Sequence, residues 1–215
     1  MAAGSGSRFG EKKQFKLLNG IALYLYSLNK FLLCKDINEI ILVVPKSRLA
    51  EIKKETINIK KTKKVSVISG GYRRQDSVKN GLLSVSNKSQ LVCIHDGARP
   101  FVSEKLIKQS IIACSKNDGA IVANPNFDTL KICESGYVKK TIDRSNVWMA
   151  QTPQVFWKIK LLRAIDISEK KNIEVTDESS MMESLGYKVS VVQGDFNNFK
   201  ITSREDWERA LEIVT

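Results

Sequence analysis

The chain has 215 residues, 42% of them hydrophobic and 27% charged, which suits a folded soluble protein able to bury a sizeable core without staples. Thirty-five Lys and Arg against 23 Asp and Glu give a formal charge of +12, so anionic partners are expected, either nucleic acid or small phosphorylated molecules. No apolar run approaches the roughly 20 residues that span a bilayer, and no signal-peptide core is visible, which argues against a membrane partner. Four cysteines, Cys34, Cys93, Cys114 and Cys133, show neither a C-x-x-C pair nor metal-ligand spacing, so a reduced cytoplasmic protein is expected.

In chain order, "MAAGSGSR" comes first: a glycine loop with Gly4, Gly6 and the cation Arg8, followed by Lys12 and Lys13. Apolar residues at helical spacing predict a helix over Ile21–Cys34, and the β-branched run Glu39–Pro45 predicts a strand ended by its proline. Lys46–Lys64 holds eight cations against two acids but no aromatic residue, so it lacks the stacking platforms of a single-strand binder and reads as a solvated face. Val65–Ser69 is a second strand that runs into "GGYRRQDSVKNGLLSV", a Gly-Gly turn and an amphipathic helix. "QLVCIHDGARPF" is a third strand opening into a loop at His95–Asp96. A helix capped by Ser103 and a fourth strand, "GAIVANP", follow.

The alternation then breaks. Two short runs around "ESG" predict a hairpin projecting from the body, within an insertion over about 126–153. After "QTPQVF" come a helix over Lys158–Lys171, a helix opening at "TDESSMMESLG", a strand "KVSVVQG", and a last helix with Thr202 and Glu205 at capping-box spacing. The pattern is one α/β domain over residues 1–215, with a mostly parallel sheet and a projecting β-arm.

The residues with chemical potential fall in loops after predicted strands, where open parallel sheets bind ligands. Gly4 and Gly6 let backbone N–H groups approach an anion, and Arg8 and Lys13 would neutralise phosphate charge, although the spacing fits neither standard phosphate-loop pattern. Gly70–Gly71 could meet a flat ligand edge; Ser77 either hydrogen-bonds that ligand or caps its helix. Asp96 can hold a Mg²⁺ ion that bridges phosphates, or can pair with Arg99 to pin the turn. His95 is the only histidine and reads as a core residue, so no Ser/His or Cys/His nucleophile system is on offer. Isolated cations, glycines, one metal carboxylate and no nucleophile pair suit phosphoryl or nucleotidyl transfer.

Taken together and in order, "AAGSGSR", "KKQF", "GGYRRQDSVKNGL", "HDGARPF", "DRSNVWMAQTPQVF", "TDESSMMESLG" and "NNFKIT" resemble the 2-C-methyl-D-erythritol 4-phosphate cytidylyltransferases, with the ribitol 5-phosphate cytidylyltransferases as near relatives. The resemblance covers essentially the whole chain. It implies a Rossmann-like nucleotidyltransferase sandwich, Mg²⁺ dependence, a homodimer joined through the arm, and CTP and a polyol phosphate as substrates. By resemblance, Ala2, Ala3, Gly4, Gly6, Gly71, Arg74 and Ser77 bind CTP, while Arg8, Lys13 and Lys200 surround its phosphates as catalytic cations. Asp96 is implied as the metal-associated carboxylate at the substrate, with Arg99 beside the substrate and Thr129, Arg144 and Thr152 at its phosphate; Thr129 and Arg144 reach across the dimer. Thr152 precedes Pro153 and could instead only shape a turn, and Arg144 could be an ordinary hairpin cation. Asp177 and Glu183 are read as structural.

The sequence departs from that family in four places. A short apolar strand is expected before "AAG", central to the sheet, so residues upstream of Met1 are expected; an intact mass equal to this sequence would overturn that. The stretch from Arg8 to Lys13 is about two residues short, with Lys12 where a proline is usual. Tyr72 follows the Gly-Gly pair in place of an acid, and Asn197 stands where an aspartate is common.

Overall fold

The computed structural model describes residues 1–4, 9–57, 59, 63–173 and 175–215. Its first elements are two short antiparallel strands, β1 (Leu17–Leu18) and β2 (Ile21–Ala22), joined by Asn19–Gly20 with both residues at positive φ. That pairing delays the expected helix, so α1 runs over Leu23–Leu33 and buries Leu23, Tyr24, Leu28, Phe31 and Leu32. β3 (Glu39–Val44), α2 (Leu49–Ile57) and β4 (Lys64–Ser69) form a right-sized βαβ unit, its two strands parallel and in register from Glu39↔Lys64 to Val44↔Ser69.

Next come α3 (Arg74–Leu83), β5 (Leu91–Ile94), α4 (Glu104–Ser115) and β6 (Gly119–Pro125). Ser103 caps α4, its hydroxyl accepting from Leu106 N–H. The hairpin expected around "ESG" is β7 (Leu130–Glu134) and β8 (Tyr137–Ile142), with Ser135 and Gly136 both at positive φ, as a two-residue hairpin turn requires. β9 (Trp148–Trp157) returns the chain to the main sheet; α5 (Lys158–Lys170), α6 (Glu178–Ser184), β10 (Val189–Gln193) and α7 (Arg204–Val214) complete it. α7 is capped one residue later than expected. Ser203 accepts from Asp206 N–H, and the Asp206 carboxylate reaches back to Ser203 N–H, because the helix starts at Arg204 and puts Asp206, not Glu205, at the third position.

The larger sheet has the order β10-β6-β9-β5. β10 and β6 are parallel, and β9 lies antiparallel to both β6 and β5, so β5, β6 and β10 share one direction and β9 alone is reversed. Side chains alternate between the two faces. Val92, Ile94 and Phe156 face α3, α5 and α6, where Val78, Leu82, Leu161, Ile165, Met181 and Met182 cover them. Cys93 and Val122 face α1 and α4, among Phe31, Leu106 and Ile107. The result is a sheet covered by helices on both faces, the α/β sandwich that the alternation of elements predicts.

Two residues join this sheet to the β3–β4 pair. Ala2 N–H donates to Val43 O of β3 (2.8 Å), Gly97 N–H donates to Met1 O (2.7 Å), and the Met1 amine donates to His95 O just past β5 (2.6 Å). The place where a central strand is expected, between β3 and β5, is therefore bridged over Met1 and Ala2. Beside them a cavity of about 440 Å³ runs between the facing strands, lined by Leu28, Phe31, Ile40, Leu42, Leu91 and Cys93 among others.

The packing separates the four thiols. Cys34 and Cys114 are fully buried, and burial pushes the thiols of Cys93 and Cys114 up to about 12 and about 11, whereas Cys133 is exposed on the arm. At pH 8 the folded protein is expected to react quickly with a thiol-specific maleimide at Cys133 alone, with the other three following only on denaturation. Rapid labelling of any buried cysteine, located by peptide mass, would contradict this packing.

Candidate active site

β5 ends at Ile94 and hands His95, Asp96 and Arg99 to the loop beyond its carboxyl end. β9 shapes this rim from the side. Pro153 has no N–H for the ladder, and the β6–β9 pairing jumps from Ile121↔Gln154 to Val122↔Gln151. The bulge frees Thr152 from pairing with β6, and its hydroxyl accepts from Asp96 N–H at 3.0 Å. The same hydroxyl meets His95 Nδ1 at 3.1 Å, and His95 Nε2 meets the Arg99 carbonyl at 3.0 Å. A carbonyl only accepts, so Nε2 carries the hydrogen and Nδ1 accepts from Thr152; the ring is neutral. Burial pushes its pKa down to about 3.

Asp96 is the charge centre of the rim. Lys200 Nζ stands 2.7 Å from its Oδ2, and Arg74 Nη2 stands 3.6 Å from its Oδ1. Burial alone would raise the carboxyl, yet Lys200 and then Arg74 overcome that and hold it below the usual carboxylate range. Arg74, at the start of α3, also donates through Nη1 to Glu178 Oε1 at the start of α6. Burial raises the Glu178 carboxyl, opposed by Arg74.

Lys200 reaches Asp96 because its loop is fastened to both neighbours. Asn198 Nδ2 donates to Gln151 Oε1 (2.8 Å) and to Thr152 O (2.9 Å), Arg99 Nη1 donates to Asn198 O (2.8 Å), and Ile201 N–H donates to Ala98 O (2.9 Å). Arg99 is buried and spent on that loop, so it positions the rim instead of pairing directly with Asp96 to pin the turn.

The amino-terminal loop meets the rim at Gly70. A Cβ there would lie 2.6 Å from Ala3 Cβ and 2.7 Å from Ser77 Oγ, so only glycine lets Ala3 and Ser77 come together at this point. Gly71 N–H donates to Ser77 Oγ at 3.0 Å, which makes Ser77 a brace for the Gly-Gly turn inside α3. Buried Gln14 pins the loop from below, its Nε2 donating to Ala2 O (3.0 Å) and Gly4 O (2.8 Å).

Ala2, Ala3, Gly4, Gly71, Arg74, Ser77, Asp96, Arg99, Thr152 and Lys200 thus converge on one rim of the sheet. Gly6 and Arg8 lie outside the described residues. Lys13 is buried with its Nζ 5.5 Å from the centroid of the Phe9 ring, which packs on Trp207 of α7, the helix that follows Lys200. Thr129 and Arg144 are exposed at the base of the β7–β8 arm, where Arg144 donates to Phe127 O. Among the described residues, no three His, Cys, Asp or Glu side chains gather as a metal nest. A divalent ion held by one carboxylate and by nucleotide phosphates needs only one such ligand, and the ionised Asp96 fits that demand.

The sequence reading did not single out Gln14, Gln151, Glu178 or Asn198. Each lies inside a quoted motif without being given a role there, and the usable signal was a polar side chain beside residues expected to bury, since such groups stay inside only with partners. Asp177 is structural as expected: it caps α6, accepting from Ser180 N–H at 3.1 Å and from Gln154 Nε2 at 2.8 Å.

A family model described as 2-C-methyl-D-erythritol 4-phosphate cytidylyltransferase matches residues 1–215. The proteins of that name from Syntrophus aciditrophicus and Aquifex aeolicus are each 40% identical to this chain. The first match covers 95% of this chain and 89% of that protein, the second 100% and 95%. Among solved structures, the 4-diphosphocytidyl-2C-methyl-D-erythritol synthase of Anaerococcus prevotii superposes with a TM-score of 0.88 at 33% identity, covering 99% of this chain and 92% of that one.

The neutral ring of His95 gives a direct check of this geometry. Its folded pKa of about 3 lies below the ordinary 6.5, so the stability it confers is complete above pH 6.5 and drains away as the pH falls toward 3. In an NMR titration of the native protein, the single imidazole should stay neutral from pH 8 to pH 5, with its hydrogen on Nε2. A midpoint near 6.5 would show that the Thr152–His95–Arg99 relay is not formed.

Proposed function

The chain belongs to the 2-C-methyl-D-erythritol 4-phosphate cytidylyltransferase family, and on that premise we propose that the rim around Asp96 is where its two phosphorylated substrates meet. The enzyme is a nucleotidyltransferase of isoprenoid biosynthesis that moves a cytidylyl group from CTP to methylerythritol phosphate. The ribitol 5-phosphate reading is not favoured, since these relatives carry the methylerythritol phosphate name.

The observation that carries the assignment of the site is the convergence of Arg74, Asp96, Thr152 and Lys200 from four separate segments at the carboxyl end of β5. The reaction brings two anions together, which is unfavourable without fixed positive charge. In the proposed mechanism, an oxygen of the polyol phosphate attacks the α-phosphorus of CTP in line. The new P–O bond forms as the bond to the β-phosphate oxygen breaks, and pyrophosphate leaves with that electron pair. No protein nucleophile is needed. Lys13, Lys200 and Arg8 stabilise the charge on the phosphates, Ala3 and Gly4 present backbone N–H groups to them while Ala2 anchors the loop to β3, and the turn at Gly71 and Ser77 receives the base.

A divalent cation, which nucleotidyltransferases generally use, would be held by Asp96 together with the nucleotide; as Mg²⁺ it would supply charge neutralisation for the phosphates. The arm supports a homodimer reading. Ile132, Tyr137, Val138, Trp148 and Met149 are exposed on or beside it, an apolar surface that a second copy would cover while Thr129 and Arg144 reached the partner's polyol phosphate.

In the presence of Mg²⁺, CTP is expected to raise the melting temperature more than ATP, GTP or UTP. Pyrophosphate release should follow with methylerythritol phosphate and not with ribitol 5-phosphate. Lys13→Ala and Lys200→Ala should each lower kcat by about 10²-fold or more, as loss of a transition-state charge contact does. Near-normal turnover in both variants would remove these lysines from the mechanism.

A further inference from the structure

Arg74 stands between two carboxylates, and the structure distributes it unevenly. Its Nη1 makes a direct hydrogen bond to Glu178 Oε1, whereas its Nη2 stops 3.6 Å from Asp96 Oδ1, outside hydrogen-bond length. Asp96 Oδ2 meanwhile keeps Lys200 at 2.7 Å. Glu178 is 1% exposed, and its Oε2 is buried with no hydrogen-bond partner among the described residues. Burying a carboxylate with only half of its acceptors satisfied is costly, and a stable fold gains nothing from it that an apolar side chain at the start of α6 would not supply. The arrangement makes sense as a device for holding Arg74.

We infer that Glu178 is a positioning residue: its ion pair holds the Arg74 guanidinium off Asp96, so that the donors of Arg74 do not close on Oδ1 and Asp96 stays able to take a nucleotide-bound cation. Guanidinium and carboxylate fit as a two-pronged pair. Released from Glu178, Arg74 is one short swing from such a pair with Asp96, which would occupy the oxygen that a divalent ion needs. The inference rests on the cytidylyltransferase reading of this rim and adds the residue that keeps its carboxylate available. Glu178 stands inside the quoted motif "TDESSMMESLG" but was given no role there, because its partner lies 104 positions away in the chain.

The test compares five proteins: the parent, Glu178→Gln, Glu178→Asp, Arg74→Ala, and the double variant Arg74→Ala with Glu178→Gln. Mn²⁺ uptake is read by electron paramagnetic resonance at fixed CTP, alongside melting temperature and the CTP dissociation constant. Glu178→Gln should weaken Mn²⁺ uptake about 10- to 100-fold, the usual effect of losing a group that orients a metal ligand. Glu178→Asp should recover part of the loss. In the Arg74→Ala background the same substitution should cost nothing further, because no guanidinium remains to close on Asp96. Equal losses in both backgrounds, or a lower melting temperature with Mn²⁺ uptake within about twofold of the parent, would overturn the inference. If Glu178→Gln does not fold, the double variant, which removes both charges, decides: Mn²⁺ uptake matching Arg74→Ala supports the role, and a further loss sinks it. A parent protein that binds no CTP would instead bring down the reading of the site on which this rests, and the inference with it.

Discussion

A carboxylate cannot be taken out of water unless positive charge goes with it, and Asp96 is where this protein meets that constraint. Lys200 and Arg74 come to it from separate segments, one facing each carboxylate oxygen, and Thr152 braces its backbone N–H. The electrostatic demand runs both ways. Cations that would repel one another at the end of β5 are held there by two buried carboxylates, Asp96 against Lys200 and Glu178 against Arg74. Under the proposed mechanism the same cations would already be in place when phosphates arrive, so little reorganisation would be required at the moment of reaction. The net charge of +12 is a diffuse version of the same bias, one that raises the local concentration of anions around the molecule.

Most of the remaining architecture serves to keep that cluster still. β9 runs against its neighbours and bulges at Thr152–Pro153, turning a hydroxyl toward the loop after β5. Asn198 and Arg99 lace the Lys200 loop to both β9 and the Asp96 loop. His95, neutral and buried, completes a relay from Thr152 to the Arg99 carbonyl and takes no charge of its own. These bonds come from segments far apart in the chain, so the site forms only when the whole sheet does.

That distance decides what could be read in advance. Helices and strands with strong periodicity, such as the runs behind β3, β6 and α4, were legible because their signal is local. Ser103 announced itself as a cap for the same reason. The last helix was misjudged by one position: Thr202 and Ser203 offer the same chemistry, and only the packing of Trp207 and Ala210 chooses between them. β9 was hidden because "QTPQ" reads as a turn, and nothing local says that a bulge will carry a proline through the sheet. Asp96 and Lys200 were legible as loop residues after strands, but their 2.7 Å contact was not. Glu178 was invisible in principle, since a buried acid is recognisable only once its cation is known.

The dipeptide Met1–Ala2 is both the clasp between the two strand blocks and the root of the glycine loop. Ala2 O also accepts from buried Gln14, and Ala3 lies against Gly70. The backbone that ties β3 to the loop after β5 therefore also sets where Ala3 meets the Gly-Gly turn, so one short stretch of chain fixes the spacing of three neighbouring segments.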